Sequence, residues 1–231
     1  ASEIEKTFPG VASIGGVGQA YIDRQFFDAG ITVIAMKENI KVVADVLEEA
    51  SVMPIKYIRR LENAVRAVGG ERGNTACFDI CSAGADVRAV TTLSDYLCRL
   101  GYDLAGGTSN SAMVACNGRV YKDACAFFIF RNLRGKIKSY KENIYVHPEE
   151  NAKQFMVTEA DPKKYKIRTL ENTSAEKVYT SELGIGRDKI TTQTFKNPFG
   201  HVCNNDTYIV SIKGVESDGS ITTFRPANRM D

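Results

Sequence analysis

The chain has 231 residues, 30 Lys and Arg against 28 Asp and Glu, and a formal net charge of +2. With 43% apolar and 25% charged residues it is a globular protein long enough to bury a real core, which excludes disorder as its main state. Gly and Pro are too few for a low-complexity chain, no apolar run is long enough to span a bilayer, and residues 1–6 lack the apolar stretch of a signal peptide.

Reading along the chain, residues 11–14 are a short apolar run that ends in Gly15-Gly16-Val17-Gly18. Residues 30–36, rich in β-branched side chains and bounded by Gly and charge, predict a buried strand. Residues 40–50 fit either a helical face or a strand. Pro54 opens a helix that runs to Val68, with Gly69-Gly70 as its stop. Residues 75–81 alternate like a strand. Residues 86–100 are the best helix in the chain: Val90, Leu93, Leu97 and Leu100 recur at three- and four-residue steps and Gly101 sits at the C-terminal cap. A short strand at 102–105 completes a β-α-β unit, which implies a parallel pair with a right-handed crossover.

Beyond Gly107 the pattern turns to hairpins. Residues 111–116 and 119–130 flank Asn117-Gly118, a strong hairpin signal. Further strands are expected at 136–146, 154–160 and 165–170. Thr173 and Glu176 read as a capping box for a helix that ends near Gly184. A last hairpin joins 207–216 to 220–224 across Asp218-Gly219. The fold class is α+β: mixed sheets with a β-α-β unit over about 75–106, followed by antiparallel hairpins.

The six cysteines (77, 81, 98, 116, 125 and 203) mostly lie in apolar strings and read as buried, reduced thiols, which implies a cytoplasmic protein. Cys77 and Cys81 lack the spacing of a zinc or iron–sulfur motif, so no metal is expected there. Gly16-Val17-Gly18 is followed by Tyr21 where a dinucleotide fingerprint needs Gly or Ala, and reads as a tight loop.

The segment Gly106-Gly107-Thr108-Ser109-Asn110 leaves the carboxyl end of a parallel strand, where ligands sit in α/β sheets. Its glycines allow close backbone approach, and Thr108, Ser109 and Asn110 supply donors and acceptors for an amino or carboxylate group. It reads equally as a plain polar turn.

His147 and His201 are the only histidines, and neither lies in a nucleophile motif. No enzyme is expected. Either histidine could hold a haem iron, although no Cys-x-x-Cys-His motif is present. Arg134, Lys136 and Lys138, and likewise Lys164, Lys166 and Arg168, form basic strand faces. With a near-neutral chain these read as solvated faces open to an acidic partner, and no nucleic acid is expected.

Three features from Gly106 onward resemble the FIST family (F-box and intracellular signal transduction domains). They are Gly106-Gly107-Thr108 with the hairpin through 114–126; the runs 157–161 and 167–170 leading to Tyr179; and Asn197-Pro198-Phe199-Gly200 with the strands at 208–212 and 218–221. Ile14-Gly15-Gly16 and residues 30–33 also look like the family. The resemblance implies a FIST N-type sensory region over 1–163 and the beginning of a FIST C-type region over 164–231. It also implies that the family's amino-terminal portion and the end of its carboxyl-terminal portion lie outside these residues. It implies a cytoplasmic sensory domain for chemotaxis or related signalling, working with an output domain or partner protein. The ligand would be a small metabolite such as an amino acid, without a cofactor; the place of Gly106 to Asn110 at the end of the parallel strand, together with the family pattern, makes that segment the expected binding site. Alternatives within the family are a haem-binding nitric-oxide sensor and a protein-interaction module.

Overall fold

The computed structural model describes residues 2–18, 20–22, 25–27, 30–140, 153–203 and 206–229. They fall into two units, residues 1–142 and 143–231. Unit 1 runs α1 (Ser2–Thr7), β1 (Ile14–Gly16), β2 (Ala20–Ile22), β3 (Gln25–Phe27), β4 (Ile40–Leu47), α2 (Ile58–Val68), β5 (Thr75–Cys81), α3 (Asp86–Leu100), β6 (Asp103–Thr108), β7 (Met113–Cys116), β8 (Arg119–Lys122) and β9 (Cys125–Asn132).

Its main sheet has the order β4-β9-β5-β6. β9 is antiparallel to both neighbours, whereas β5 and β6 are parallel, as the β-α-β pattern requires. The buried faces of α2 (Leu61, Ala64, Val68) and α3 (Ala89, Leu93, Leu97) cover one side of this sheet, against Leu47, Cys77, Phe127 and Ile129. On the other side the antiparallel sheet β1-β7-β8 packs Val114 and Cys116 against Ala44, Val46 and Ala126. β4 is therefore buried on both faces over its second half, with Val46 turned to one layer and Leu47 to the other. A strand covered on both sides loses the apolar–polar alternation that would distinguish it from a helix, which explains the ambiguity at 40–50.

Local signals set the element ends. α3 spans the predicted residues and stops at Gly101, whose φ of 67° is the left-handed cap. Asn117 and Gly118 (φ 45° and 76°) make the tight turn between β7 and β8. The Asn117 amide also joins layers: its Nδ2 donates to Ala44 O at 3.0 Å and its Oδ1 accepts from Ser13 N at 3.1 Å.

Unit 2 contains β10 (Val157–Asp161), β11 (Lys166–Leu170), β12 (Thr173–Ser174), α4 (Ala175–Leu183), α5 (Ile190–Gln193), β13 (Phe199–Cys203), β14 (Asp206–Val210), β15 (Ile212–Val215) and β16 (Ile221–Thr223). An antiparallel sheet β10-β11-β16-β15, with β12 beside β11, packs Ile167, Leu170, Ile212 and Ile221 against Ala175, Tyr179 and Ile190. β13 and β14 form a separate hairpin. Both units mix helix with mainly antiparallel strands, so the chain is α+β.

Four local expectations are corrected. Residues 30–36 are not a buried strand: they are irregular and open to solvent, with Ile31 84% and Ile34 87% exposed. Strand propensity is insufficient without a neighbouring edge, and no strand among the described residues pairs there. Residues 136–140 are also irregular, because Asn132 Oδ1 accepts from both Arg134 N and Gly135 N and turns the chain at the end of β9. The basic row Arg134, Lys136, Lys138 therefore shares no strand face, and residues 141–146 lie outside the described residues. The stretch 207–216 divides at Ser211 between β14 and β15, which pair with different strands. The capping box fails too: α4 starts after Ser174, whose Oγ donates to Gly219 O while Glu176 N donates to the same carbonyl. A tertiary carbonyl has taken over the local cap. On β11, Arg168 pairs with Glu159 at 3.2 Å, so part of the second basic row is already neutralised.

Candidate functional site at the carboxyl end of the parallel strands

α3 returns the chain from β5 to β6 in parallel, and the carboxyl ends of both strands lie at the same edge of the sheet. Asp79, Ile80 and Cys81 stand opposite Gly106, Gly107 and Thr108. Of the segment expected to bind ligand, Gly106, Gly107 and Thr108 are the last residues of β6 rather than a loop, and all three are exposed. The parallel ladder with β5 holds the chain extended past the glycines. β6 is the outer strand, so its far edge pairs with no strand among the described residues.

Ser109 has a different role. It is 3% exposed and its hydrogen-bonding capacity is used within the fold. Its N–H donates to Cys81 O at 2.7 Å, and its Oγ accepts from Val17 N at 3.0 Å and Ser111 N at 3.2 Å. Met113 O and Val17 O lie 3.2 and 3.3 Å from the same hydroxyl. Asn110 N donates to Val17 O at 2.7 Å, and the residue is exposed. Ser109 thus ties the end of β6 to the chain leaving β1, while Gly106 to Thr108 and Asn110 face outward.

Behind this edge lies a cluster that sequence reasoning missed. Asp79 is 2% exposed, and its Oδ2 accepts from Cys81 Sγ at 3.3 Å and from Cys125 Sγ at 3.8 Å. Burial is the main force on its carboxyl, raising the pKa to about 6; the two thiol hydrogen bonds act against this and the charge of Asp86 adds to it. The Cys125 thiol is held well above its usual range, first by its hydrogen bond with Cys81 and then by burial. Burial does the same to Cys77. Such thiols are poor nucleophiles at neutral pH. The signal was present in the alternation of 75–81, which puts residues 75, 77, 79 and 81 on one face. That face is the core, so an aspartate in the row was the anomaly.

Gly106 makes room for this carboxylate. A Cβ there would lie 2.2 Å from Asp79 O and 2.3 Å from its Oδ1, so Gly106→Ala forces β6 away from β5. The expected cost is about 1–3 kcal/mol in a urea unfolding curve. Gly107→Ala, with no atom within 4 Å of its added methyl, is expected to cost much less.

His201 is on β13 in unit 2, opposite Tyr208, and His147 lies outside the described residues. An open groove of about 320 Å³ runs between Val52 to Ile55 and the first turns of α3, lined there by Val87, Arg88, Thr91 and Thr92. It offers little polar chemistry: both threonine hydroxyls donate to carbonyls of their own helix and Arg88 Nη1 donates to Val52 O. Among the described residues no helix is long and apolar enough to cross a membrane.

No curated protein and no solved structure matches the chain. The FIST N domain matches residues 1–173, a span that includes all of unit 1 and the start of unit 2. The chain belongs to the FIST family of signal-transduction sensory domains.

Proposed function

We propose that this chain is the ligand-binding part of a cytoplasmic signalling protein and that it senses a small metabolite, an amino acid being the class that fits best, at the carboxyl end of β5 and β6. The observation that carries the reading is the outward edge of Gly106, Gly107 and Thr108. Two side-chain-free residues on an unpaired strand edge leave main-chain groups accessible to a ligand carboxylate, and Asn110 adds a side-chain amide beside them. Asp86, in the first turn of α3, adds negative charge at this end of the sheet, which favours an ammonium group. Ser109 continues directly into the contacts with Val17 and Met113, giving an occupied edge a mechanical connection to the second sheet.

Binding without chemistry is the form of the proposal, and no cofactor is part of it. The hydrogen bond with Cys81 and burial hold the Cys125 thiol protonated, and the one described histidine belongs to the other unit. The free thiols of Cys77, Cys81, Cys98, Cys116 and Cys125 accord with a reducing compartment. The occupied site would act on an output domain or partner protein.

A thermal-shift screen of the purified chain against the amino acids and small carboxylates tests this, since a ligand held only by the folded state raises the melting temperature. Asn110→Ala is expected to weaken the hit at least tenfold while leaving the unliganded melting temperature unchanged, the loss of one hydrogen bond to a charged group. Unchanged affinity would remove this edge from the site. If only haem stabilises the chain, with a Soret band that His201→Ala or His147→Ala abolishes, the gas-sensor alternative replaces the reading.

A further inference from the structure

We propose that Asp79, Cys81 and Cys125 form a binding site for one thiophilic divalent cation of the zinc class. The three residues come from the ends of two adjacent antiparallel strands, where Cys81 and Cys125 stand directly opposite each other. Asp79 lies two residues before Cys81 and so faces the same side. One carboxylate oxygen and two sulfurs lie within 4.8 Å of one another, with the oxygen 3.3 and 3.8 Å from the two sulfurs. Zinc at its normal distances of about 2.0–2.3 Å from oxygen and sulfur ligands needs tetrahedral edges of about 3.3–3.8 Å, so the donors are already close to the required spacing.

The surroundings favour a cation. All three side chains are buried, and no Lys, Arg or His among the described residues pairs with Asp79. Its partners are two thiols, which are weak donors and a poor substitute for a positive charge. One carboxylate and two thiolates form a mixed hard and soft set that suits zinc better than calcium or magnesium, which take oxygen ligands. Two thiol protons leave to solvent as the metal enters, with no change of oxidation state. Gly106 presents only a hydrogen towards the carboxylate and packs close against its Oδ1, which leaves Oδ2 turned towards the two sulfurs. The cysteines lie 44 positions apart in different strands, which explains why a search for local ligand spacing overlooks them.

The test uses the full chain, reduced with a phosphine and stripped of metal, with Co²⁺ as the probe. The expected result is a thiolate-to-cobalt absorption band that saturates at one equivalent and is displaced by Zn²⁺. Asp79→Asn and Cys81→Ala should each weaken Co²⁺ at least tenfold, while Cys116→Ser, a buried thiol outside the cluster, should leave the titration unchanged. Because Cys81→Ala alters the core, a rise in the melting temperature of the unmodified protein with added Zn²⁺, absent from Asp79→Asn, provides a second reading. Absence of the thiolate band, a band that survives Cys81→Ala, or a melting temperature unchanged by Zn²⁺ would overturn the proposal. The outcome is independent of the metabolite screen, because neither test relies on the other's ligand.

Discussion

In metal-free buffer, Asp79→Asn is expected to stabilise the chain increasingly from about pH 4 to pH 6 and to add nothing further at higher pH. The folded protein holds the Asp79 proton up to about pH 6, against an ordinary value of 3.8. Below the lower value the carboxyl is neutral in both states and contributes no difference. Between the two values the folded state retains a proton that the unfolded chain has lost, so the stability of the wild type falls as pH rises. Above pH 6 both states are ionised and the full penalty remains, on the order of 3 kcal/mol for a shift of this size. The amide cannot ionise, although its buried NH₂ removes a constant part of the gain. The diagnostic is therefore the pH slope of the difference in urea midpoint between the two proteins. A difference constant from pH 4 to 8 would mean that the carboxyl is solvated.

Phe127→Ala is expected to cost about 3–5 kcal/mol, enough to unfold unit 1 at moderate temperature in a marginally stable protein. Phe127 is fully buried in the first half of β9 and stands opposite Asp45 on β4 and Asp79 on β5. Its ring fills the layer between the main sheet and the helices. Removal leaves a cavity bounded by two helices and two paired strands, which have little freedom to collapse into it. The conservative Phe127→Leu should cost less than half as much. Equal and small costs in urea unfolding would contradict the layer arrangement.

The fold was most legible where one segment carried its own signal. α3 could be placed because its apolar spacing, its length and Gly101 agree. The hairpin at Asn117-Gly118 could be placed because both residues tolerate the left-handed conformation. The sequence failed where a distant partner decides. Whether 30–36 becomes a strand depends on a neighbouring edge, and whether Thr173 caps α4 depends on Gly219, 46 positions away. The site was half legible for the same reason. The parallel pair and the glycines pointed to the carboxyl edge of β6, whereas the Asp79 cluster needs the register of β9 against β5, which no local pattern states. Ser109 looked like a ligand group because exposed and buried serines are alike in sequence; the fold spends its hydroxyl on Val17, Ser111 and Met113.

The central claim is that the outward edge of β6 receives the signal. Backbone amide resonances of the isotopically labelled chain, recorded during titration with the compound that gives the largest thermal shift, test it most directly. The account predicts that Gly106, Gly107, Thr108 and Asn110 show the largest shifts and slower hydrogen exchange, while the amides of α4 and β16 in unit 2 stay unchanged. Shifts concentrated at Val52 to Ile55 and the first turns of α3, or around His201, with Gly106 to Asn110 unmoved, would contradict it.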